Sequence, residues 1–191
     1  MDVSDLQELK AETDRRMHGA VEHVRQELAG VRTGRATPAL LDPVQVEAYG
    51  STVPLNQVAS LSVPDPTLIV AQPFDPSLTG AIERAIQKAN LGLNPASDGK
   101  VLRIPIPMLT DERRKEMSRI VHKYAEDGRN AVRQVRREAN DHLKKLLKKH
   151  ELGEDDEHRA LDDVQKLTDK HVGELNAMQE KKDAALLGDK H

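Results

Sequence analysis

Five cations on one stretch are the residues most able to act on a partner. Arg129, Arg133, Arg136, Arg137 and Lys144 lie within Thr110 to His150, a segment whose apolar residues recur every three or four positions. On a helix wheel the five cover about a quarter-turn beside the apolar face. Like charges such as Arg133 and Arg137 at i, i+4 cost a few tenths of a kcal/mol. By pattern alone the commoner case is a solvated face, or a face paired with an acidic neighbouring helix. The sharper reading is a strip that contacts a phosphate backbone. A second basic point, Val31-Arg32-Thr33-Gly34-Arg35-Ala36-Thr37-Pro38, puts Arg32 and Arg35 around a glycine. It reads either as an ordinary loop or as a further contact near a domain crossing.

Catalytic chemistry finds no such grouping. Gly92 to Val101 faintly resembles a phosphate-binding loop, but six residues separate Gly92 from Gly99 instead of four. Val101 also stands where a hydroxyl would hold magnesium. His150-Glu151 lacks the second histidine of a zinc-protease motif, and the eight histidines show no repeated ligand spacing. His171 lies near an apolar stripe and reads as packed, not as a ligand. The acidic run 154–157 suits the positive end of a helix. The chain has no cysteine, which removes thiolate nucleophiles, disulfides and Cys-based zinc sites. The residues therefore imply a binding protein, not an enzyme, with no metal, cofactor or small-molecule substrate.

These residues must be positioned by helices. The apolar stripe of the long segment is Met117, Ile120, Val121, Tyr124, Val132, Val135, Ala139, Leu143 and Leu146. Some 40 helical residues make a rod of roughly 60 Å, which needs partner helices to cover its stripe. Residues 4–29 read as one partner, with Ser4 and Gln7 as a capping box and Leu6, Leu9, Met17, Val21, Val24 and Leu28 as its stripe. Gly30 is expected to end it in the left-handed cap conformation. Glu151-Leu152-Gly153 is expected to break the long helix. A last helix opens at Glu154, with the stripe Leu161, Val164, Leu167, His171 or Val172, Leu175, Met178 and Leu186.

Every proline falls between Pro38 and Pro107. Long helices cannot persist there. Val44 to Tyr49, Val58 to Val63, Leu68 to Ala71 and Val101 to Ile104 read as strands, with Gly50-Ser51 as a turn. Asp75-Pro76 opens a short helix carrying Leu78, Ile82, Ala85, Ile86 and Ala89, stopped by Asn90 to Gly92. The fold class is α+β: a three-helix antiparallel bundle (1–30 and 106–187) with an inserted α+β domain (31–105) and a frayed tail (188–191). Two short crossings join them, so Gly30, Val31, Gly34, Ile104, Pro105, Ile106 and Pro107 are the expected hinge.

The total charge of −3 hides a polarity. Residues 111–150 carry thirteen basic and seven acidic side chains, a net of +6. Residues 151–191 carry six and twelve, a net of −6. Aromatics are Phe74, Tyr49 and Tyr124 alone, too few for a sheet that stacks bases. No run is long and apolar enough to span a bilayer, and no signal peptide is legible, so a cytoplasmic protein is expected.

At this point a family likeness is visible. Arg32-Thr-Gly-Arg-Ala-Thr-Pro-Ala-Leu-Leu-Asp42 resembles the signature that opens the head domain of bacterial ribosome recycling factors. Pro54-Leu-Asn-Gln-Val-Ala-Ser-Leu, Gly92-Leu-Asn-Pro, Asp98-Gly and Arg103-Ile-Pro-Ile-Pro follow in order. So do Leu109-Thr-Asp-Glu-Arg-Arg-Lys-Glu, Val135-Arg-Arg-Glu-Ala-Asn-Asp141 and Val164-Gln-Lys-Leu-Thr-Asp169. The resemblance implies two domains in an L, with the bundle on large-subunit ribosomal RNA and the head where elongation factor G pushes. It implies splitting of the post-termination ribosome with elongation factor G and GTP, releasing mRNA and tRNA, by a monomer. It also ties Arg133, Arg136 and Arg137, with Arg129 just before them and Arg32 at the hinge, to ribosome binding, which reverses the weighing made from pattern alone. Two other readings stand beside it. One is a helical adaptor whose basic helix pairs with an acidic protein; the other is an enzyme with an unconventional site in the α+β domain.

Because the phosphate-loop spacing fails, the purified chain alone is expected neither to bind nor to hydrolyse GTP. Equilibrium dialysis with labelled nucleotide checks this, and stoichiometric binding would refute it.

Overall fold

The computed structural model describes residues 5–188 and divides the chain into two units, 1–33 with 111–191, and 34–110. Residue Ser4 and the tail residues 189–191, to which the sequence assigned a cap and fraying, lie outside the described residues.

The first unit is helical. Helix α1 spans Leu6–Ala29, α3 Asp111–Lys148 and α4 Glu154–Leu187. Asp5 caps α1, its Oδ1 accepting from the Gln7 backbone N–H at 3.0 Å. Gly30 closes the helix in the right-handed region, at φ −77°, not in the left-handed one expected of a glycine cap. Helix α3 stops earlier than Glu151-Leu152-Gly153. His150 takes φ 57°, and the N–H groups of His150 and Glu151 donate back to the carbonyls of Leu147 and Leu146. This is a Schellman closure with histidine where glycine is usual.

The three helices pack pairwise. Leu9 clusters with Ala139, Leu143, Ala160 and Val164, whereas Val24 and Leu175 meet at Gly128. Helices α1 and α4 therefore run in one direction and α3 runs against both. Thr13 and Thr168 fill buried positions of the α1 and α4 stripes because each hydroxyl donates to the carbonyl four residues earlier, Leu9 at 2.7 Å and Val164 at 2.8 Å. His171, only 1% exposed, takes the position left open between it and Val172. Its Nε2 lies 2.7 Å from Asp14 Oδ1 on α1. Arg16 on α1 donates to Glu138 Oε2 on α3 at 2.5 Å, and Lys10 pairs with Asp163 on α4. That hydrogen bond from Arg16 holds the Glu138 carboxyl below the usual glutamate range.

The second unit is α+β. Strands β1 (Gln45–Ala48) and β2 (Ser51–Pro54) form a hairpin. Tyr49 and Gly50, at φ 53° and 78°, make its two-residue turn, so Ser51 is already in strand, paired with Ala48. The second strand escaped sequence reading because Ser-Thr-Val-Pro shows no apolar alternation. Strands β3 (Ala59–Asp65), β4 (Leu68–Pro73), β5 (Ala96–Ser97) and β6 (Leu102–Pro105) form an antiparallel sheet in the order β3-β4-β6-β5. Strand β5, two residues long, carries no readable period. Asp75 caps a short turn of 3-10 helix, Pro76–Leu78, which leads into α2 (Thr79–Lys88). Ile82 and Ile86 of α2 pack with Val46, Ile69, Leu102, Ile104 and their neighbours in one core.

Gly128 is the tightest point of the bundle. A Cβ there would lie 2.5 Å from Val24 Cγ2 and within 3.4 Å of Leu175. Alanine gains ~1 kcal/mol in helix propensity, but the stiff Val24 must move, at about 1–3 kcal/mol. Gly128→Ala is expected to lower stability by about 1 kcal/mol in urea denaturation; a stabilised variant would show that the helices can part without loss.

Candidate nucleic-acid interface

The positively charged stripe is placed by the same packing that buries Val132, Val135, Ala139 and Leu143. With those side chains turned inward, the stripe emerges on the flank of α3 beside α4. Its members then separate into two kinds. Arg129 is spoken for. Its Nε donates to Glu126 at 2.8 Å, and its Nη1 to Asn176 at 3.0 Å and Gln179 at 2.9 Å on α4. Only 15% of the side chain is exposed, so it clamps two helices. Arg133 is held loosely, by Asn130 at 3.3 Å and Glu126 at 3.5 Å. Arg136, Arg137 and Lys144 have no hydrogen-bond or ion-pair partner among the described residues. Arg137 and Lys144 are exposed and Arg136 half-buried.

One acid interrupts the stripe. The hydrogen bond from Arg129 is the main reason the Glu126 carboxyl lies below the usual glutamate range, with Arg133 assisting. Further along, Asp141 lies one turn from Arg137 and Lys144 but pairs with neither among the described residues. Helix α4, despite its excess of acids, does not neutralise the stripe. Among the described residues no α4 carboxylate pairs with the five cations, and several pair elsewhere: Asp163 with Lys10, Asp183 with Ser118 and His122, Glu174 with His171, and Asp156 with Arg159. What α4 offers the stripe is the neutral pair Asn176 and Gln179. An intramolecular acid-base zipper between α3 and α4 is therefore not what the arginines form.

Arg32 and Arg35 are exposed, but they fall on opposite sides of the division after Thr33, and no common surface with the α3 stripe is defined for them. The expected hinge residues also separate. Val31 is buried in the first unit's connection, its N–H bonded to Leu28 at 3.1 Å. Gly34 takes φ 74°, and a Cβ there would stand 3.1 Å from Leu109. Ile104 and Pro105 belong to β6, and Ile106 is buried in the second unit's core with its N–H on Thr67 at 2.7 Å. Ladder pairing and burial hold these three in the sheet unit, so residue 106 does not start the bundle. The second crossing is the stretch from Pro107 to Thr110.

The loop that resembled a phosphate site has another occupant. Asp98 Oδ1 accepts from the N–H groups of Lys100 at 3.1 Å and Val101 at 3.0 Å, while Oδ2 accepts from Arg103 at 2.8 Å. The backbone donors a phosphate would need are taken by a carboxylate. A groove of about 410 Å³ beside α2 is lined by Gln45, Glu47, Thr52, Arg84 and Lys88, without a paired nucleophile and base. Among the described residues no cluster of His, Asp or Glu could hold a metal, and no helix is long and apolar enough to cross a membrane.

The fold is a helical bundle with an inserted α+β unit, and one face of α3 carries a run of cations. The sequence profile of the family described as "Ribosome recycling factor" matches residues 24–187. The chain belongs to the ribosome recycling factor family, a family of translation factors. It is 52% identical over 183 residues to the ribosome-recycling factor of Bradyrhizobium diazoefficiens, covering 96% of this chain and 95% of that one. To that of Zymomonas mobilis it is 50% identical over 179 residues, covering 94% and 97%. A solution structure of a ribosome recycling factor superposes with TM-score 0.80 at 41% identity, covering 98% of this chain and all of that one. A T. thermophilus ribosome recycling factor, described with E. coli elongation factor G bound to the E. coli post-termination complex, gives 0.66 at 49% identity, covering 96% and 99%.

The two kinds of arginine give a paired test. Arg136→Ala is expected to keep the thermal midpoint and to flatten the salt dependence of ribosome co-sedimentation by about one unit of log-log slope. Arg129→Ala is expected to lower the midpoint, because Asn176 and Gln179 lose their donor at about 1 kcal/mol or more. Identical effects of the two would erase the distinction drawn here.

Proposed function

We propose that this chain binds the post-termination ribosome through the cationic face of α3 and, with elongation factor G and GTP, splits it into subunits, freeing mRNA and tRNA. The observation that carries this reading is the set Arg136, Arg137 and Lys144, cations without a partner on a rigid helix. Phosphates of large-subunit ribosomal RNA are the counter-charge, with Arg133 released from Glu126 to join them. Arg32 and Arg35 extend the contact near the first crossing. The T. thermophilus relative, described with elongation factor G on the post-termination complex, supports the choice of partners.

In this reading the chain is a monomer acting in the cytoplasm. It supplies position and force transmission, not catalysis, and the GTPase supplies the energy. The residues around Gly30, Val31 and Gly34, and around Pro107, serve as the joint about which one unit moves relative to the other.

The test is a subunit-splitting assay on purified post-termination ribosomes, followed by light scattering. Splitting is expected only when the chain, elongation factor G and GTP are all present, and binding by the chain alone should weaken steeply with salt. Splitting that ignores elongation factor G would overturn the reading. Salt-sensitive capture of an acidic protein, with no ribosome binding, would favour the adaptor.

A further inference from the structure

Helix α4 buries one line of side chains: Ala160, Val164, Thr168, His171, Leu175 and Leu186. Lys182 lies on that line. Seven residues bring a helix back to within about 20° of its starting direction, so Lys182 leaves α4 on the side where Leu175 does. Leu186 follows one turn later. An amine is a poor occupant of such a place. Lys182 is half-buried, and among the described residues its amine has neither a carboxylate nor a hydrogen-bond partner.

The packing accounts for a lysine here. Val24 and Leu175 both meet Gly128, and α1 runs parallel to α4. Seven residues past Val24 the chain has reached Val31, and α1 has already ended at Ala29. At the level of Lys182 the third helix has run out. Seven residues back along the antiparallel α3 lies Val121, which is 0% exposed. A four-carbon stem covers apolar surface at such a level while its amine stays at the rim.

The charges that could compensate the amine are directed elsewhere. Glu180 and Lys181 are exposed on the outer side of α4. Asp183 accepts from Ser118 Oγ at 3.0 Å and lies 2.8 Å from His122 Nε2, both on α3. Glu27, the last carboxylate of α1, lies 3.2 Å from His23 Nε2. Burial therefore holds the Lys182 amine below the usual lysine range.

We propose that Lys182 is an acylation site whose donor is a small acyl phosphate. The ammonium first gives one proton to water. The lone pair of the neutral amine attacks the acyl carbonyl and an N–C bond forms. The C–O bond to phosphate breaks, and its electron pair leaves with the phosphate. A second proton passes from the nitrogen to water, and a neutral amide remains. A desolvated lysine is the activated form of this nucleophile, and half-burial favours a small donor. The product no longer carries the charge that burial opposes. Acylation is thus a stabilising modification of the bundle end at which the chain leaves α1.

Lys181, adjacent and exposed, is the internal control. The full chain is incubated with acetyl phosphate at neutral pH, and acetylation of each lysine is followed in time by peptide mass spectrometry. Lys182 is expected to react about fivefold faster than Lys181. Lys182→Met, which keeps an unbranched stem and drops the charge, is expected to raise the thermal midpoint by about 3 °C, whereas Lys181→Met leaves it unchanged. Acetylation of Lys182 at or below the rate of Lys181 overturns the site. A Lys182→Met chain that melts below wild type also overturns it, because the charge would then stabilise the fold and acylation would weaken it.

Discussion

The close approach of three helices at Gly128 is the constraint from which the rest of the helical unit follows. Only a residue without a side chain lets Val24 and Leu175 meet across α3. That contact fixes the rotation of α3 about its own axis. Since successive residues turn by about 100°, fixing Gly128, Val132 and Val135 inward leaves no freedom for Arg133, Arg136 and Arg137. Arg136 emerges on the side that Arg129 shares with α4, and Arg137 faces away from the core, whatever their own preferences. A face made this way has its backbone fixed by the packing beneath it, which lowers the ordering cost of any contact it makes.

The arginines show how a charge stripe is divided between structure and function. Arg129 has exchanged water for Glu126, Asn176 and Gln179, and its charge is spent on holding α3 to α4. Two turns further on, Arg136 and Arg137 have nothing to hold. Repulsion between neighbouring cations on a helix is small, a few tenths of a kcal/mol. The fold therefore tolerates their mutual repulsion, and a partner rich in phosphate removes it. Glu126 is the boundary between these roles, since it touches Arg129 firmly and Arg133 barely.

Much of this was legible in the order of residues. Threes-and-fours periodicity found all three long helices, and the concentration of proline marked the inserted unit. What escaped did so for physical reasons. Thr13 and Thr168 are polar by type yet buried, because a hydroxyl can return its proton to the helix behind it. His150 ends α3 in a conformation that composition assigns to glycine. Strand β5 is too short for a period, and β2 depends on a hairpin whose turn holds a tyrosine. The stripe itself was readable, but its division was not: that Arg129 is a clamp depends on Asn176 and Gln179, nearly fifty residues away. The expected hinge failed in part for the same reason. Ile104-Pro105-Ile106-Pro107 looks like a stiff linker in isolation, and only pairing with Leu68 and Thr67 puts its first three residues inside the sheet.

The two units differ in surface charge, a net of −1 on residues 34–110 against +6 on residues 111–150. The α3 face offers dispersed positive charge, a long-range attraction that tolerates sliding and weakens with salt. The α+β unit carries almost no net charge, so the contacts it makes depend on shape more than on salt. A surface that attracts at long range and one that recognises at contact respond to different variables, ionic strength for the first and partner shape for the second. Separating them into two units means that a change in one need not disturb the other. Two stretches of chain, at Thr33 and at Thr110, connect the units covalently. Whatever is transmitted between the units along the backbone passes through those few residues.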